Sequence, residues 1–532
     1  MSGIGRASVL IGAGTIVSRL SGFLRAVVLV TAVGATTEAG NAFAMANQLP
    51  NNIYAIISTG LLSAVVVPQI VKAATHDDGG RAFVSKLFTL GTVVLLVTTA
   101  LAMLVAPWLV QLYAPNFEPD QQALATSFAY WCLPQIFFYG LYALVGESLN
   151  ARRVFGPFTW APIVNNIVSI AGFVIFIWLF GPGGSTTEWT PEMVALIAGT
   201  ATLGIVVQAG ILLLFWRRTG LHVRPDFVWR GVGLGQIGRL AGWTFLMVVA
   251  GQLAGLVQSR VLSGIPDGDA GILVSQSAWL LFMLPYSIIV LSIGTPYFTQ
   301  LSEHAAAGRD DDVRGDIGRS IRTLGLFVVV AAAALAVAAV PAARIFTDST
   351  DEAIAAAQVL LCFLVSLVPL AVLFVVQRTF YAYDDTRVPF LFTLLQCVLV
   401  VATALIAAST LPVHLLAAGV ALGQSIASVV QVIVATWLLQ RRLGGLRVGS
   451  WMLSLGRFAL AAVPAAGAGW ATFVLLGGVE GWTVSDKLLG ALGAAIIGTV
   501  VLLVYVGALA LLRAPELAPA LAIARKMLPG RS

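Results

Sequence analysis

Cysteine and histidine are nearly absent: 532 residues hold three of one and four of the other. Cys132, Cys362 and Cys397 all lie inside apolar stretches, so they offer neither a disulfide framework nor metal-ligand spacing. His76, His222, His304 and His414 are scattered over separate polar links, none large enough for a soluble catalytic domain. The sequence therefore predicts no cofactor, no metal and no enzyme. The best acidic cluster, RDDDVRGD from Arg309, has the composition of a Mg²⁺ site for phosphoryl chemistry. No Gly-rich or basic phosphate loop accompanies it, and its interspersed arginines make a solvated helix start the better account. Charge is scarce too: 10% of residues are charged and 59% hydrophobic. With a mean hydropathy of +0.93, this excludes an ordinary soluble protein of this length.

What is present is a series of fourteen apolar stretches, near residues 8–33, 41–74, 84–113, 121–151, 158–181, 191–216, 238–265, 271–302, 318–346, 353–383, 388–411, 413–440, 452–479 and 485–513. Crossing a bilayer takes about 20 apolar residues, and in lipid such segments are helices because a helix satisfies its own backbone. The links between them alternate in charge. Those after even-numbered stretches carry Arg152 and Arg153; Arg217, Arg218, Arg224 and Arg230; Arg309, Arg314 and Arg319; and Arg441, Arg442 and Arg447. Those after odd-numbered stretches carry Glu38; Glu118 and Asp120; Glu188 and Glu192; Asp267 and Asp269; Asp348, Asp351 and Glu352; and Glu480 and Asp486. Basic links stay in the cytoplasm, so the expectation is a multi-pass membrane protein with both termini cytoplasmic. The same alternation accounts for the net charge of +6 without nucleic acid. Reading the first stretch as a cleaved secretory signal would require a signal core interrupted by Arg19 and Arg25, and its removal would reverse the alternation downstream.

The longest link, 218–237, is basic and Gly-rich and divides the chain after six spans. The expected fold is all-α and polytopic, with about 14 transmembrane helices in two pseudo-symmetric six-helix lobes plus two C-terminal helices. Its expected parts are an N-lobe at 1–217, a C-lobe at 238–441, a final helix pair at 442–513 and a cytoplasmic tail at 514–532, either a surface helix or disordered. A faint repeat supports the division: LPNNIYAIISTG from Leu49 and LPYSIIVLSIG from Leu284 fall in spans 2 and 8. Tryptophans at span ends, Trp108, Trp178, Trp216 and Trp482, suit interfacial belts and need no ligand.

Span 1 reads SVLIGAGTIVSRLSGFLRAVVLV, and helical spacing puts Ser18, Ser21, Gly22 and Arg25 on one stripe with Arg19 beside it. An arginine near the bilayer centre costs at least about 2.5–3.5 kcal/mol on insertion scales, so these two should face a protein interior or a wet cavity. Snorkelling is the plainer alternative. In span 2, Asn41, Gln48 and Asn52 share a face with Asn51 just beside it, and Pro50 interrupts the helix. A guanidinium ringed by neutral amides suits a phosphate or pyrophosphate, though amides that only bind helices together make the same pattern. Glu147 lies near Arg152 and Arg153, which favours a local ion pair over proton coupling. Arg260 and Arg378 sit close to span ends, where snorkelling accounts for them equally well. Gln252, Gln258, Ser275, Gln276 and Ser277 give spans 7 and 8 a polar side, a candidate cavity wall.

Taken together, SRLSGFLR from Ser18, NAFAMANQLPN from Asn41, NARRVFGPFTWAPIVNN from Asn150 and RTFYAYDDTRVP from Arg378 resemble the MurJ/MviN lipid II flippases, within the multidrug/oligosaccharidyl-lipid/polysaccharide exporters. The resemblance spans nearly the whole chain and looks closest to the actinobacterial branch. It implies alternating-access transport of lipid II, a polyprenyl-pyrophosphate-linked peptidoglycan precursor, from the inner to the outer leaflet of the bacterial plasma membrane. It further implies a lipid-tail groove at spans 13 and 14, and cell-wall synthesis proteins as further partners. Ser18, Arg19 and Arg25 match the family's first-helix motif, and Pro50 and Asn51 its LPN element, while Asn41 stands where many members have Asp. Tyr54 and Ala55 replace a basic pair, Thr59 an acid before Gly60, and Leu280 and Met283 an Arg and a Glu. Those losses leave two alternatives open: export of another lipid-linked glycan or amphipathic drug, or a transport-inactive scaffold for envelope synthesis.

Overall fold

The computed structural model describes residues 3–59, 81–152, 154, 156–183, 188–219, 223–227 and 234–518, of which the side chains of 3–13, 81–83, 151, 219 and 234–241 are left undescribed. Its long elements are all α-helices, and no strand occurs among the described residues. Thirteen helical stretches among these residues are long and apolar enough to cross a membrane. The stretch expected second is described to residue 59; its remainder lies outside the described residues, as do Arg153 and the tail from 519.

The chain divides into two compact units, Met1–Leu273 and Val274–Ser532. The first contains α1 (Gly3–Val33), α2 (Glu38–Ile57), α3 (Arg81–Leu104), a short α4 (Ala106–Tyr113), α5 (Pro119–Cys132), α6 (Gln135–Ala151), α7 (Gly156–Phe180), α8 (Pro191–Leu214) and α9 (Leu234–Leu262). Thr37 caps α2 by accepting the Gly40 N–H at 3.0 Å, and Glu38 sits at the positive end of the helix dipole. Helix α1 packs on α7, α2 on α5 and α6, and α7 on α8. The α7–α8 crossing is close because two glycines permit it: a Cβ at Gly172 would collide with Thr200, and one at Gly204 with Asn165. Small residues let helices approach where the hydrophobic effect cannot drive them together. Helix α9 rests on α2 and α4. Arg260 is exposed and donates to the Leu112 carbonyl at 3.1 Å, while Asn116 donates to the Arg260 carbonyl at 3.1 Å.

Helix α10 (Ile272–Pro285) crosses the boundary and leads through a π-turn at Tyr286–Val290 into α11 (Leu291–Ala306). There follow α12 (Asp310–Val337), a short α13 (Ala339–Arg344), α14 (Thr350–Leu364), α15 (Leu367–Ala382), α16 (Arg387–Thr410), α17 (Leu416–Arg442), α18 (Val448–Leu475) and α19 (Lys487–Leu511). Helices α18 and α19 pack on each other and on α12 around Phe458, Ile497, Val501 and Tyr505. The interruptions repeat between the units. Pro50 lies inside α2 and Pro285 at the end of α10; Pro107 opens α4 and Pro341 falls within α13; Pro134 separates α5 from α6, and Pro369 lies in the first turn of α15. Each pair is about 235 residues apart, as an internal repeat requires. The close glycine recurs too: a Cβ at Gly423 of α17 would lie 2.5 Å from Thr403 of α16.

Leu475, Trp178 and Leu511 are 86%, 81% and 87% exposed, a surface that suits acyl chains and would aggregate in water. RDDDVRGD opens α12, with Arg309–Asp312 and Arg314–Asp311 as i,i+3 pairs. At the same end Tyr383 donates to Asp310 at 2.5 Å, and Arg442 pairs with Asp385 at 2.5 Å while lying over the Tyr383 ring. Burial, reinforced by the bond to Asp310, pushes the Tyr383 phenol up to about 12.

Candidate functional site

The polar stripe of α1 does two different things along its length. Its serine half is taken up by α7: Asn166 donates to the Ser18 carbonyl at 3.3 Å and to the Ser21 hydroxyl at 2.9 Å. One turn further on, Arg25 is half-buried and makes no hydrogen bond or ion pair among the described residues. Its recorded electrostatic neighbour is Tyr139 of α6. A guanidinium carries five donors and keeps its charge, so at membrane depth it stays costly until an anion or water meets it. Arg19 is exposed.

The span 2 amides are divided in the same way. Asn41 is 3% exposed and accepts the Leu273 N–H at 3.1 Å, so its side chain holds backbone. Asn52 is buried and hydrogen-bonds Tyr113. Gln48 is half-buried and Asn51 exposed. Glu147 is half-buried and hydrogen-bonds Asn150, with Tyr54 and Tyr142 in its electrostatic field. Gln252, Gln258 and Gln276 are half-buried, whereas Ser275 and Ser277 are buried. Thus the first unit sets Arg25 in the electrostatic field of Tyr139 of α6, and it engages Asn41 and Asn52 elsewhere.

The match to a family model decides the kinship: the model described as Lipid II flippase MurJ matches residues 29–491. The chain belongs to the MurJ lipid II flippase family. Among MurJ relatives it is 25% identical over 459 residues to the Probable lipid II flippase MurJ of Rhizobium tropici, covering 84% of this chain and 82% of that one. It is 24% identical over 524 residues to the Synechocystis sp. protein of the same name, covering 94% and 93%. Its fold is similar to that of Lipid II flippase MurJ in the inward closed conformation, with a TM-score of 0.71 at 18% identity over 92% of this chain and 98% of that one. A crystal structure of MATE in complex with MaL6 shares the fold at a TM-score of 0.60 and 17% identity, covering 82% and 96%. The chain is thus a multi-pass inner-membrane protein of a flippase family, a transporter and not an enzyme.

Ser18, Arg19 and Arg25 precede the stretch matched by the MurJ model, so their assignment rests on the site's geometry and on the first-helix resemblance. The positions where this MurJ member departs from the family pattern, Tyr54, Ala55, Thr59, Leu280 and Met283, are all half-buried. Sequence reasoning passed over Tyr139, which the structure brings to Arg25. The signal was available: IFFYGLYALVGE places Tyr139 and Tyr142 three residues apart, on one face of the span. It also treated Arg378 as a span-end residue. In the second unit the Arg378 guanidinium lies over Phe298 at 4.9 Å and over Phe374 at 5.2 Å, with Tyr286 and Tyr381 nearby. Cation–π contact partly replaces the water it lacks. No group of three or more metal-ligating side chains exists among the described residues.

Proposed function

We propose that this MurJ-family chain carries lipid II from the inner to the outer leaflet by alternating access, with Arg25 as the anion contact for the pyrophosphate. The observation that carries this reading is the half-buried Arg25, free of any protein acceptor among the described residues. A carboxylate neighbour would have neutralised it; a phosphate oxygen does so only while substrate is bound. Few fixed charges suffice for the direction of travel. An anionic headgroup moving outward runs down an inside-negative potential, gaining roughly 2.3 kcal/mol per charge per 100 mV, so the protein needs mainly a hydrated path and one anchoring cation. Arg19, Gln48 and Asn51 complete the proposed site in the first unit, with Ser18 and Asn52 in supporting contacts and Asn41 holding backbone.

The proposed lobes are 1–217 and 238–441, joined by the linker at 218–237, and the recurring proline breaks support them. The helix pair within 442–513 supplies the groove for the polyprenyl tail, and the basic cytoplasmic links bind other cell-wall synthesis proteins. Both termini are cytoplasmic. Cysteines introduced at two exposed positions test the orientation: Asp351→Cys reacts with an impermeant maleimide in intact cells, and Asp312→Cys only after permeabilisation. The reverse pattern contradicts it. For transport, the chain expressed in a cell depleted of its own lipid II flippase restores growth. Failure to do so at normal membrane levels would point to a different substrate.

A further inference from the structure

Three tyrosines of α2 and α6 stand in the same electrostatic neighbourhood as Arg25 and Glu147, and their hydroxyls have different fates. Tyr54 hydrogen-bonds Ser58. Tyr142 donates to the Phe158 carbonyl at 2.7 Å, with its ring stacked on Phe158 at 4.9 Å. Tyr139 makes no hydrogen bond among the described residues, although it is half-buried in a membrane span. Its ring stacks on Tyr54 at 5.5 Å and 30°. Among the described residues, the one phenol of the three without a hydrogen bond is the one in the electrostatic field of Arg25, which also makes none. The two neighbours are both donors inside a membrane span, and they lack the same thing: an acceptor with several lone pairs.

We infer that Tyr139 is a second substrate-binding residue, donating its hydroxyl to a phosphate oxygen of the headgroup that Arg25 holds. This rests on the reading of Arg25 as the anion contact. Tyr54 has a supporting part, since its ring fixes the plane of Tyr139 and hence where the O–H points. Tyr54 stands where the resemblance leads one to expect a basic residue, so a neutral, ring-positioned donor takes over part of the grip that charge supplies elsewhere. Such a donor is selective. It adds a directional bond to a phosphate without adding a second buried charge that would slow release.

The test is a binding measurement on the purified full chain in nanodiscs, with polyprenyl pyrophosphate and inorganic pyrophosphate as probes. Tyr139→Phe keeps the ring and its stack on Tyr54, so the melting temperature should not move. Its affinity for polyprenyl pyrophosphate should fall about tenfold, the loss of one hydrogen bond to a charged acceptor. In a double-mutant cycle with Arg25→Ala the two losses should be coupled and fall short of their sum. Unchanged binding by Tyr139→Phe, with binding lost in Arg25→Ala, would overturn the role of the hydroxyl and leave the anion site standing. Unchanged binding in both would overturn the anion site as well. A loss confined to inorganic pyrophosphate would assign the donors to a soluble anion and overturn the headgroup contact.

Discussion

Arg25→Ala abolishes growth support in a cell that depends on this chain for lipid II export, while the protein accumulates to normal levels with an unchanged or higher melting temperature. The two halves of that result come from one fact. Arg25 is half-buried without a hydrogen bond or ion pair among the described residues, so its removal takes neither from the fold and relieves a charge that costs at least about 2.5–3.5 kcal/mol at membrane depth. The substrate loses what the fold does not. Truncating one member of a buried, hydrogen-bonded charge pair costs about 2–5 kcal/mol, or tens-fold to thousands-fold in binding. Arg25→Lys keeps the charge and gives up the planar fork, so it should retain part of the activity. Complementation, membrane level and melting temperature, measured together, check this. A variant that melts much lower would show that Arg25 is structural, and full complementation by Arg25→Ala would remove it from the site.

The largest stability effect is expected in the second unit, at Arg344→Ala. This arginine of α13 is 7% exposed and donates to the Val484 carbonyl at 2.8 Å, the Ser485 carbonyl at 3.1 Å and the Thr347 carbonyl. It thereby ties the turn before α19 to the end of α13, where Gly490 leaves room for the Pro341 carbonyl and the Arg344 stem. Alanine would leave three carbonyls without their donor and open a gap, a cost of about 3–5 kcal/mol. The nearby pair Lys487–Asp348, at 2.8 Å with Asp348 half exposed, is a control of similar charge. Lys487→Ala should cost less than about 1 kcal/mol, as solvent-screened pairs do. Limited proteolysis between α18 and α19 separates the two: faster cleavage for Arg344→Ala and little change for Lys487→Ala. Equal cleavage rates would mean that the α18–α19 pair holds by its own apolar packing.

The helical architecture was legible because in lipid the backbone allows little else, and apolar length is enough to mark a span. Arg25 stood out in the sequence because an arginine in a span carries a cost that demands a reason. The proline at Pro50 and its counterpart at Pro285 showed a repeat that the structure extends to Pro107 and Pro341, and to Pro134 and Pro369. Partner choice was not legible. Asn41 has the side chain of a cavity amide, but Leu273, more than two hundred residues on, supplies an N–H that occupies it. Tyr139 looks like one aromatic among several until the fold sets it in the electrostatic field of Arg25. Arg344 sits at the end of its span beside an acidic link, where the charge alternation leaves no place for a cation; only its three carbonyl partners explain it. In each case a polar side chain inside a bilayer needs a partner, and the sequence states the need without naming the partner.

The most direct measurement is depletion of this protein in its native host, followed by assay of the lipid II that is reachable from the outer leaflet. The account predicts that exposed lipid II falls while the total pool is held or rises, because synthesis on the inner leaflet continues without export. Unchanged exposure after depletion would contradict it, since another protein would then be carrying the flux.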